Sequence, residues 1–368
     1  MGAALARAMR GQGAALLAGA RAPAAGTTSA FDSRVYALSP ANVAFMREIG
    51  AWQAISPSRL APVYSMRIFG DDGASGLELD AYRAGLPELA WIVEDTALQD
   101  ALWRDQQPPL QGEPERLEFD ADQAQVVLRD GRSLATRLVI GADGARSVVR
   151  SAAGISAAER DYGQLAVVAN FRCDKPHRDT AYQWFQGGPV LALLPLPGRQ
   201  VSMVWSLPSA AAERVLRLEA HALCREVEAA SRGALGALEL AGAPRSFPLR
   251  HLAARRMVGP RVALAGDAGH VIHPLAGQGL NLGLQDARAL AEGLAHRRPG
   301  SDPGALRLLR RYERGRAEPL LAMNIAVDGL FALFGGGGET LTHLRNSGLN
   351  LTDRVPVLKN AMIRHAVG

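Results

Sequence analysis

The chain has 368 residues, 48% of them hydrophobic and 21% charged, and carries a net charge of +5; this length can bury a large core in two domains or one elaborate one, and the composition excludes a disordered or fibrous protein. The basic side is almost all arginine, since Lys175 and Lys359 are the two lysines, and it lacks the basic runs with interleaved aromatics that nucleic-acid binding needs. Cys173 and Cys224 are solitary, which excludes a disulfide framework or a four-cysteine zinc site and suits a reducing compartment, and no run reaches the roughly 18 to 20 apolar residues of a membrane span.

Met1 to Ala30 contains arginines, many alanines and no acid, which superficially resembles a targeting peptide. Arg7, Arg10 and Arg21 interrupt every apolar core there, so the segment reads as a helix over Ala3 to Arg10, stopped by Gly11 and Gly13, and a strand over Ala14 to Ala18. That is the second half of a βαβ unit. A strand over Gln125 to Leu128, the turn Asp130-Gly131 and a strand over Ser133 to Ile140 predict a hairpin running into a glycine-rich loop.

Between about Tyr162 and His251, alternating strands such as Leu165 to Phe171 and Val201 to Ser206 are separated by proline and glycine turns, which predicts an inserted sheet domain. Arg261 to Ala265 then reads as a buried strand, and Leu280, Leu284, Ala287, Leu290 and Leu294 recur on one helix face. From Leu306 onward the pattern is helical, with a break at Gly335 to Gly338. The fold class is therefore α/β, a nucleotide-binding half split around a sheet insertion.

The richest stretch runs from Gly266-Asp267 through His270, His273-Pro274 and Gly277-Gln278-Gly279 to Leu280-Asn281, after a strand and into a helix. A glycine-bracketed loop at a helix start exposes N–H groups and the positive end of the helix dipole to an anion. A second loop, Gly141-Ala142-Asp143-Gly144-Ala145-Arg146-Ser147-Val148-Val149-Arg150, follows Ile140, where Asp143 can accept from a ribose or from backbone and Arg146 and Arg150 offer phosphate contacts. Asp267, His270 and His273 are three residues apart, but His273 precedes Pro274, which spoils a one-face ligand set, so no metal is expected. Serine-hydrolase and phosphate-loop motifs are absent from the sequence.

The Gly266 to Asn281 segment resembles the Gly-Asp motif of flavoprotein monooxygenases with the fold of para-hydroxybenzoate hydroxylase, and Gly141 to Arg150 resembles their Asp-Gly motif. Asp32-Ser33-Arg34-Val35-Tyr36-Ala37-Leu38-Ser39, Ile92-Val93-Glu94-Asp95 and Lys359 resemble the ubiquinone hydroxylases often called UbiH/UbiF. The resemblance implies a Rossmann-like FAD-binding domain (residues 1–62, 89–160 and 255–330, lacking its first strand), a mainly antiparallel substrate domain (63–88 and 161–254) and C-terminal helices (331–368). It places FAD contacts on Gly2, Arg34, Asp143, Gly144, Arg146, Gly266, Asp267, Pro274, Gly277, Gly279, Leu280 and Asn281, with His273, Pro274, Gly277, Gln278 and Gly279 in the flavin-facing loop. Members open with a strand and Gly-x-Gly-x-x-Gly, whereas Met1-Gly2-Ala3-Ala4-Leu5 starts at the last of those glycines, and the acid expected after the second strand is missing from Leu17 to Arg21.

The implied activity is hydroxylation of an aromatic or polyprenyl phenol ring through a flavin hydroperoxide, using molecular oxygen and NAD(P)H or another electron donor. The strands from Tyr162 to Ser206, including Val190 to Leu196, form the roof of a dry pocket in this reading, and Tyr36 and His270 are candidates for a base that ionises the phenol. Leu330, Phe331, Leu333 and Phe334 fit plain helix packing first, with a tail channel or a membrane surface as the alternatives. The solitary cysteines and the missing span lead us to expect the chain in the cytoplasm, with peripheral membrane or biosynthetic-complex association as a further option. The alternatives are a flavin-deficient remnant acting as a scaffold, or a non-hydroxylating FAD reductase.

Overall fold

A computed structural model describes residues 1–18, 30–71, 75–273 and 277–335. Helix α1 (Gly2–Ala8) is followed by Gly11 and Gly13, both at positive φ, and then by β1 (Leu17–Ala18). Left-handed backbone costs glycine little, which is why the helix stops there. Arg7 is no surface residue: its guanidinium is buried and donates to the carbonyls of Ile49, Gly50 and Ala101, tying α1 to the segments that follow.

The chain continues through β2 (Val35–Leu38), α2 (Pro40–Glu48), β3 (Leu60–Val63), β4 (Ser65–Phe69), β5 (Gly76–Asp80), α3 (Ala81–Ala84), β6 (Ala90–Glu94) and α4 (Asp95–Trp103). Ser39 caps α2 by accepting from the Asn42 N–H, with Pro40 at the first helical position. Next come β7 (Leu110–Gln111), β8 (Pro114–Phe119), β9 (Ala124–Leu128), β10 (Ser133–Thr136), β11 (Val139–Gly141) and α5 (Val148–Ala152). The expected hairpin is present, with Val126 opposite Leu134. Its second strand does not run on to Ile140, however. The Thr136 hydroxyl bonds locally to Leu138, the chain bends, and β11 leaves to pair elsewhere.

The second half holds β12 (Ala157–Cys173), β13 (Thr180–Phe185), β14 (Val190–Leu196), β15 (Gln200–Pro208), α6 (Ser209–Leu216), α7 (Ala220–Ala230), β16 (Leu238–Leu240) and β17 (Arg245–Ala254). It ends with β18 (Val258–Gly259), β19 (Val262–Leu264), β20 (His270–Val271), α8 (Gly279–Ala295) and α9 (Leu306–Gly335). The strand pattern did not include α6 and α7. The other expected elements from this half are present, and α8 buries Leu284, Ala287, Leu290 and Leu294 as its spacing requires.

Among the described residues, nine strands form one sheet in the order β20-β17-β12-β15-β14-β13-β4-β5, with β16 beside β12; only β13 and β4 run parallel. Alternation divides its two faces. Val167, Ala169, Phe171, Leu191, Leu193, Val201 and Met203 point one way and pack with Ala212, Val215, Leu223 and Val227 of α6 and α7. Ala166, Val168, Gln183, Val190, Ala192, Leu194, Val204 and Ser206 point the other way, into a cavity.

Parallel pairing occurs in two further places, β1 with β7 and β11 with β19. Gly2 lies between them, where an added Cβ would come within 3.2 Å of the Leu16 side chain and 3.7 Å of Ala142. The hydrophobic core of this half gathers Leu5 from α1, Met46 from α2, Leu264 from β19 and Leu284 from α8. No helix among the described residues is long and apolar enough to cross a membrane.

Candidate functional site

A cavity of about 600 Å³ lies between the free face of the nine-stranded sheet and the loops that follow β11 and β19. That volume is in the range of small-molecule and cofactor sites. The loop wall includes Arg34, Tyr36, Gly144, Asp267, Gly277, Gln278, Gly279, Leu280 and Asn281, and the sheet wall is mostly apolar.

The turn after β19 is held from behind. Gly266 takes φ +60°, a left-handed backbone that suits glycine, and its N–H donates to the Asp286 carboxylate at 2.9 Å. The same carboxylate accepts from His270 Nε2 at 2.6 Å and from Arg316 Nε at 2.6 Å, and it is wholly buried. Tyr312 adds a hydrogen bond to the Leu264 carbonyl at 2.7 Å. From the other side, buried Arg150 donates to the Ala268 carbonyl and the Ala145 carbonyl, joining the two glycine loops. Asp267 is thereby turned to the cavity, exposed and without a side-chain hydrogen bond among the described residues. Met1 lines the cavity beside it and fills the cleft between Gly266 and Gly283, where an added Cβ would meet the methionine at 2.6 or 2.8 Å.

The two short segments around Arg34 and Glu94 are adjacent in space: β2 and β6 pair antiparallel, with Val35 opposite Glu94 and Tyr36 opposite Val93. Buried Glu94 accepts from the Asp32 N–H and from Arg59, and burial raises its carboxyl pKa against those two contacts. Arg34 is exposed at the cavity and rests over the rings of Tyr36 and Phe247 at 5.4 Å.

Several residues read from sequence as ligand contacts or bases have their polar groups occupied within the protein. Tyr36 donates to Asp95 at 3.2 Å, and burial, helped by that carboxylate and opposed by Arg34, lifts its phenol far above the ordinary range. His270 is buried against Asp286 and does not line the cavity. Both candidates for a base therefore have their polar groups engaged within the protein. The Asp143 carboxylate accepts from the Ser147 hydroxyl and the N–H groups of Val148 and Val149, so it is spent on the first turn of α5, whose N-cap is Ser147. Gly144, at positive φ, lines the cavity, while Arg146 is exposed outside the lining and Arg150 is the clamp already described.

Asn281 is likewise spent. Its side-chain oxygen accepts from the Ser39 N–H and Asn42 Nδ2, and its amide donates to Ala37 and Gly277, which fastens the loop wall to α2. Gly277 and Gly279 present open backbone at the cavity: Gly279 has nothing within 4 Å of an added Cβ and Gly277 only Ala37 at 3.8 Å. His273 is fully buried, edge-on to Tyr162 at 4.7 Å and near the Gln164 oxygen at 3.3 Å. Pro274, Arg21 and Lys359 lie outside the described residues, as do the side chains of Leu330, Phe331, Leu333 and Phe334.

A family model described as an FAD-binding domain matches residues 30–323. The ubiquinone hydroxylase UbiL of Rhodospirillum rubrum is 36% identical over 94% of this chain and 82% of its own length. The chain belongs to this FAD-binding hydroxylase family. The Escherichia coli 3-demethoxyubiquinol 3-hydroxylase is 32% identical over 92% of this chain and 88% of its own length. Klebsiella pneumoniae HpxO, solved with FAD and uric acid, superposes with a TM-score of 0.76 at 20% identity, covering 99% of this chain and 94% of that one. Pseudomonas aeruginosa PqsL does so with a TM-score of 0.76 at 23% identity, covering 94% and 95%, and both likenesses are of fold. The cofactor of the family is FAD.

Sequence reasoning missed Asp286 and Arg316, the family member's hidden support for its Gly-Asp turn. The sequence signal was there to find: a carboxylate on the apolar face of α8, flanked by buried Leu282 and Ala287, needs partners. Asp286→Ala is expected to cost about 3–5 kcal/mol in urea unfolding, because it strands a buried guanidinium. Asp286→Ala with Arg316→Met is expected to cost less than the two single variants together.

His273 sets a pH dependence. Burial, with the nearby Arg160 cation and against Asp328, lowers its pKa to about 4 from an ordinary 6.5. The unfolded chain therefore binds the proton first, and this contribution to stability is complete above pH 6.5 and lost as pH falls toward 4. Between pH 7.5 and pH 5 the protein is expected to lose about 2 kcal/mol through this group. Urea unfolding of the protein and of His273→Asn at both pH values checks this, since the variant lacks that increment.

Proposed function

We propose that this protein is a monooxygenase that hydroxylates the ring of a polyprenyl phenol in ubiquinone biosynthesis, using FAD, molecular oxygen and an electron donor such as NAD(P)H. One observation carries the reading: a single cavity joins Asp267 and Arg34 on the loop wall to a mostly apolar sheet wall, in which Arg250 of β17 is the charged residue. The names of the similar ubiquinone hydroxylases support the substrate class.

In this proposal Asp267 accepts from the ribityl hydroxyls, Arg34 contacts the cofactor, and the backbone at Gly266, Gly277, Gly279 and Leu280 borders the flat ring. Gly2 and Gly144 stand at the ends of the segments that would flank the nucleotide. The residues present suit FAD because Asp267 faces the cavity with no side-chain hydrogen bond among the described residues and the glycine edges leave room for close approach. Bound FAD supplies the redox chemistry and the oxygen transfer. The chain orients the substrate ring, and Val190, Ala192, Leu194 and Val204 keep water from it. Tyr36 stays protonated beside Asp95, so it is a hydrogen-bonding group and not a base.

Purified protein with FAD, NAD(P)H and 2-geranylphenol is expected to give a product that incorporates one atom from labelled oxygen gas. Flavin bound without incorporation would favour the reductase reading, and no flavin at all would favour a scaffold. Asp267→Ala is expected to weaken FAD binding by about 10- to 100-fold in a fluorescence titration; unchanged affinity would remove Asp267 from the site.

We extend the proposal to peripheral membrane association, since Leu321 and Ile325 are one turn apart on α9 and 61% and 64% exposed. Flotation with liposomes is expected to carry part of the protein upward. Complete retention in the soluble fraction would reject the association.

A further inference from the structure

We propose that Gln183 and Ser206 recognise oxygen substituents on a neutral substrate ring, an inference that rests on the hydroxylase reading above. Both residues lie on the cavity face of the sheet, Gln183 on β13 and Ser206 on β15. They are only 6% and 4% exposed, and neither side chain has a hydrogen-bond partner among the described residues. Their polar atoms are not among the sealed unpartnered ones and open on the cavity, where a ligand that displaces water must satisfy them or leave them unpaired at a cost. On the same face the Asn170 amide nitrogen finds protein partners, donating to the carbonyls of Phe31 and Asp32, while its Oδ1 has none among the described residues.

What sets Gln183 and Ser206 apart from other unpartnered groups is where they open. The unpartnered Ser202 Oγ and Trp205 Nε1 are sealed by protein, and neither residue lines the cavity. Gln183 and Ser206 do line it, so a ligand there can complete their hydrogen bonding. Their neighbours on this wall are Ala166, Val168, Ala181, Val190, Ala192 and Val204, so nothing else between β12 and β15 competes for a polar group.

The register gives the spacing. Gln183 is opposite Ala192, which is opposite Val204, and Ser206 lies two residues further along β15. Two strand separations and two residue steps place the two Cα atoms roughly 12 Å apart. Side chains rising from the same face over that span leave room for one substituted ring between them. Each group both donates and accepts, so each suits a hydroxyl, a methoxy oxygen or a carbonyl. The cavity-lining residues of β12, β13, β14 and β15 carry no charge, and the cation of this sheet face, Arg250, is on β17 beyond β12 and so outside the space between Gln183 and Ser206, which disfavours a ring bearing a carboxylate at this end.

The test uses the protein loaded with FAD and follows the perturbation of flavin absorbance on titration with 2-geranylphenol, geranylbenzene and 3-geranyl-4-hydroxybenzoate. The phenol is expected to bind about five- to tenfold more tightly than the ring without oxygen, and more tightly than the carboxylate. Gln183→Leu and Ser206→Ala, on separate strands, are each expected to shrink the preference for the phenol while leaving flavin content and geranylbenzene affinity in place. Retention of the full preference by both variants overturns the inference, as does tighter binding of the carboxylate. Failure of the hydroxylase reading is distinct: the phenol would bind with this preference and gain no oxygen.

Discussion

A buried carboxylate sets the geometry of the site. Asp286 takes no part in the cavity surface, yet it collects one donor from the turn after β19, one from β20 and one from α9. An ionised group in such surroundings is tolerable only when its lone pairs are used, so the three donors must converge before the core can close. Closure in turn fixes Gly266 at positive φ and turns Asp267 outward. The residue that faces the cavity is thus aimed by one that does not.

The same interaction links the two walls. His270, held by Asp286, begins β20, and β20 pairs antiparallel with β17 at the edge of the nine-stranded sheet. Arg150 reaches from α5 to the Ala268 carbonyl, so the Asp-Gly and Gly-Asp loops are tied to each other as well as to the helices behind them. Asn281 performs the corresponding task at the start of α8 by binding the backbone of Ala37 and Ser39. Among the described residues, Arg150 and Asn281 fasten the loop wall by bonding to backbone groups of segments remote in sequence.

This explains which parts of the molecule were legible in the sequence. The glycine turns, the hairpin at Asp130-Gly131 and the apolar face of α8 are local, and local spacing reveals them. The Gly-Asp and Asp-Gly loops were legible as loops facing a cavity, but the tasks of their polar residues were not. Arg150 and Asn281 have the chemistry of ligand contacts and use it on the protein, and partners as distant as Ser39 from Asn281 leave no trace in spacing. Asp143 bonds locally, to Ser147, Val148 and Val149, which is the backbone alternative its sequence allowed. Strand β14 shows a further limit. Its sequence is apolar on both faces, so alternation could not say which side was core and which was cavity.

That two-sided character separates two kinds of change. On β12 to β15 the residues facing α6 and α7 pack a closed core, where altered volume is penalised by cavity or strain. Their immediate neighbours in sequence face the open cavity, where a change of size or polarity alters the space offered to a ligand and leaves the core packing alone. The size and polarity of the cavity can therefore shift through positions such as 183, 192, 204 and 206 at little structural cost. The loop wall has no such latitude, since substituting its fastened residues also breaks the bonds that hold Asp267 in place. The network around Asp286 reaches the sheet at its β20–β17 edge and leaves the cavity-facing positions of β13, β14 and β15 outside it, so the two walls answer to different constraints.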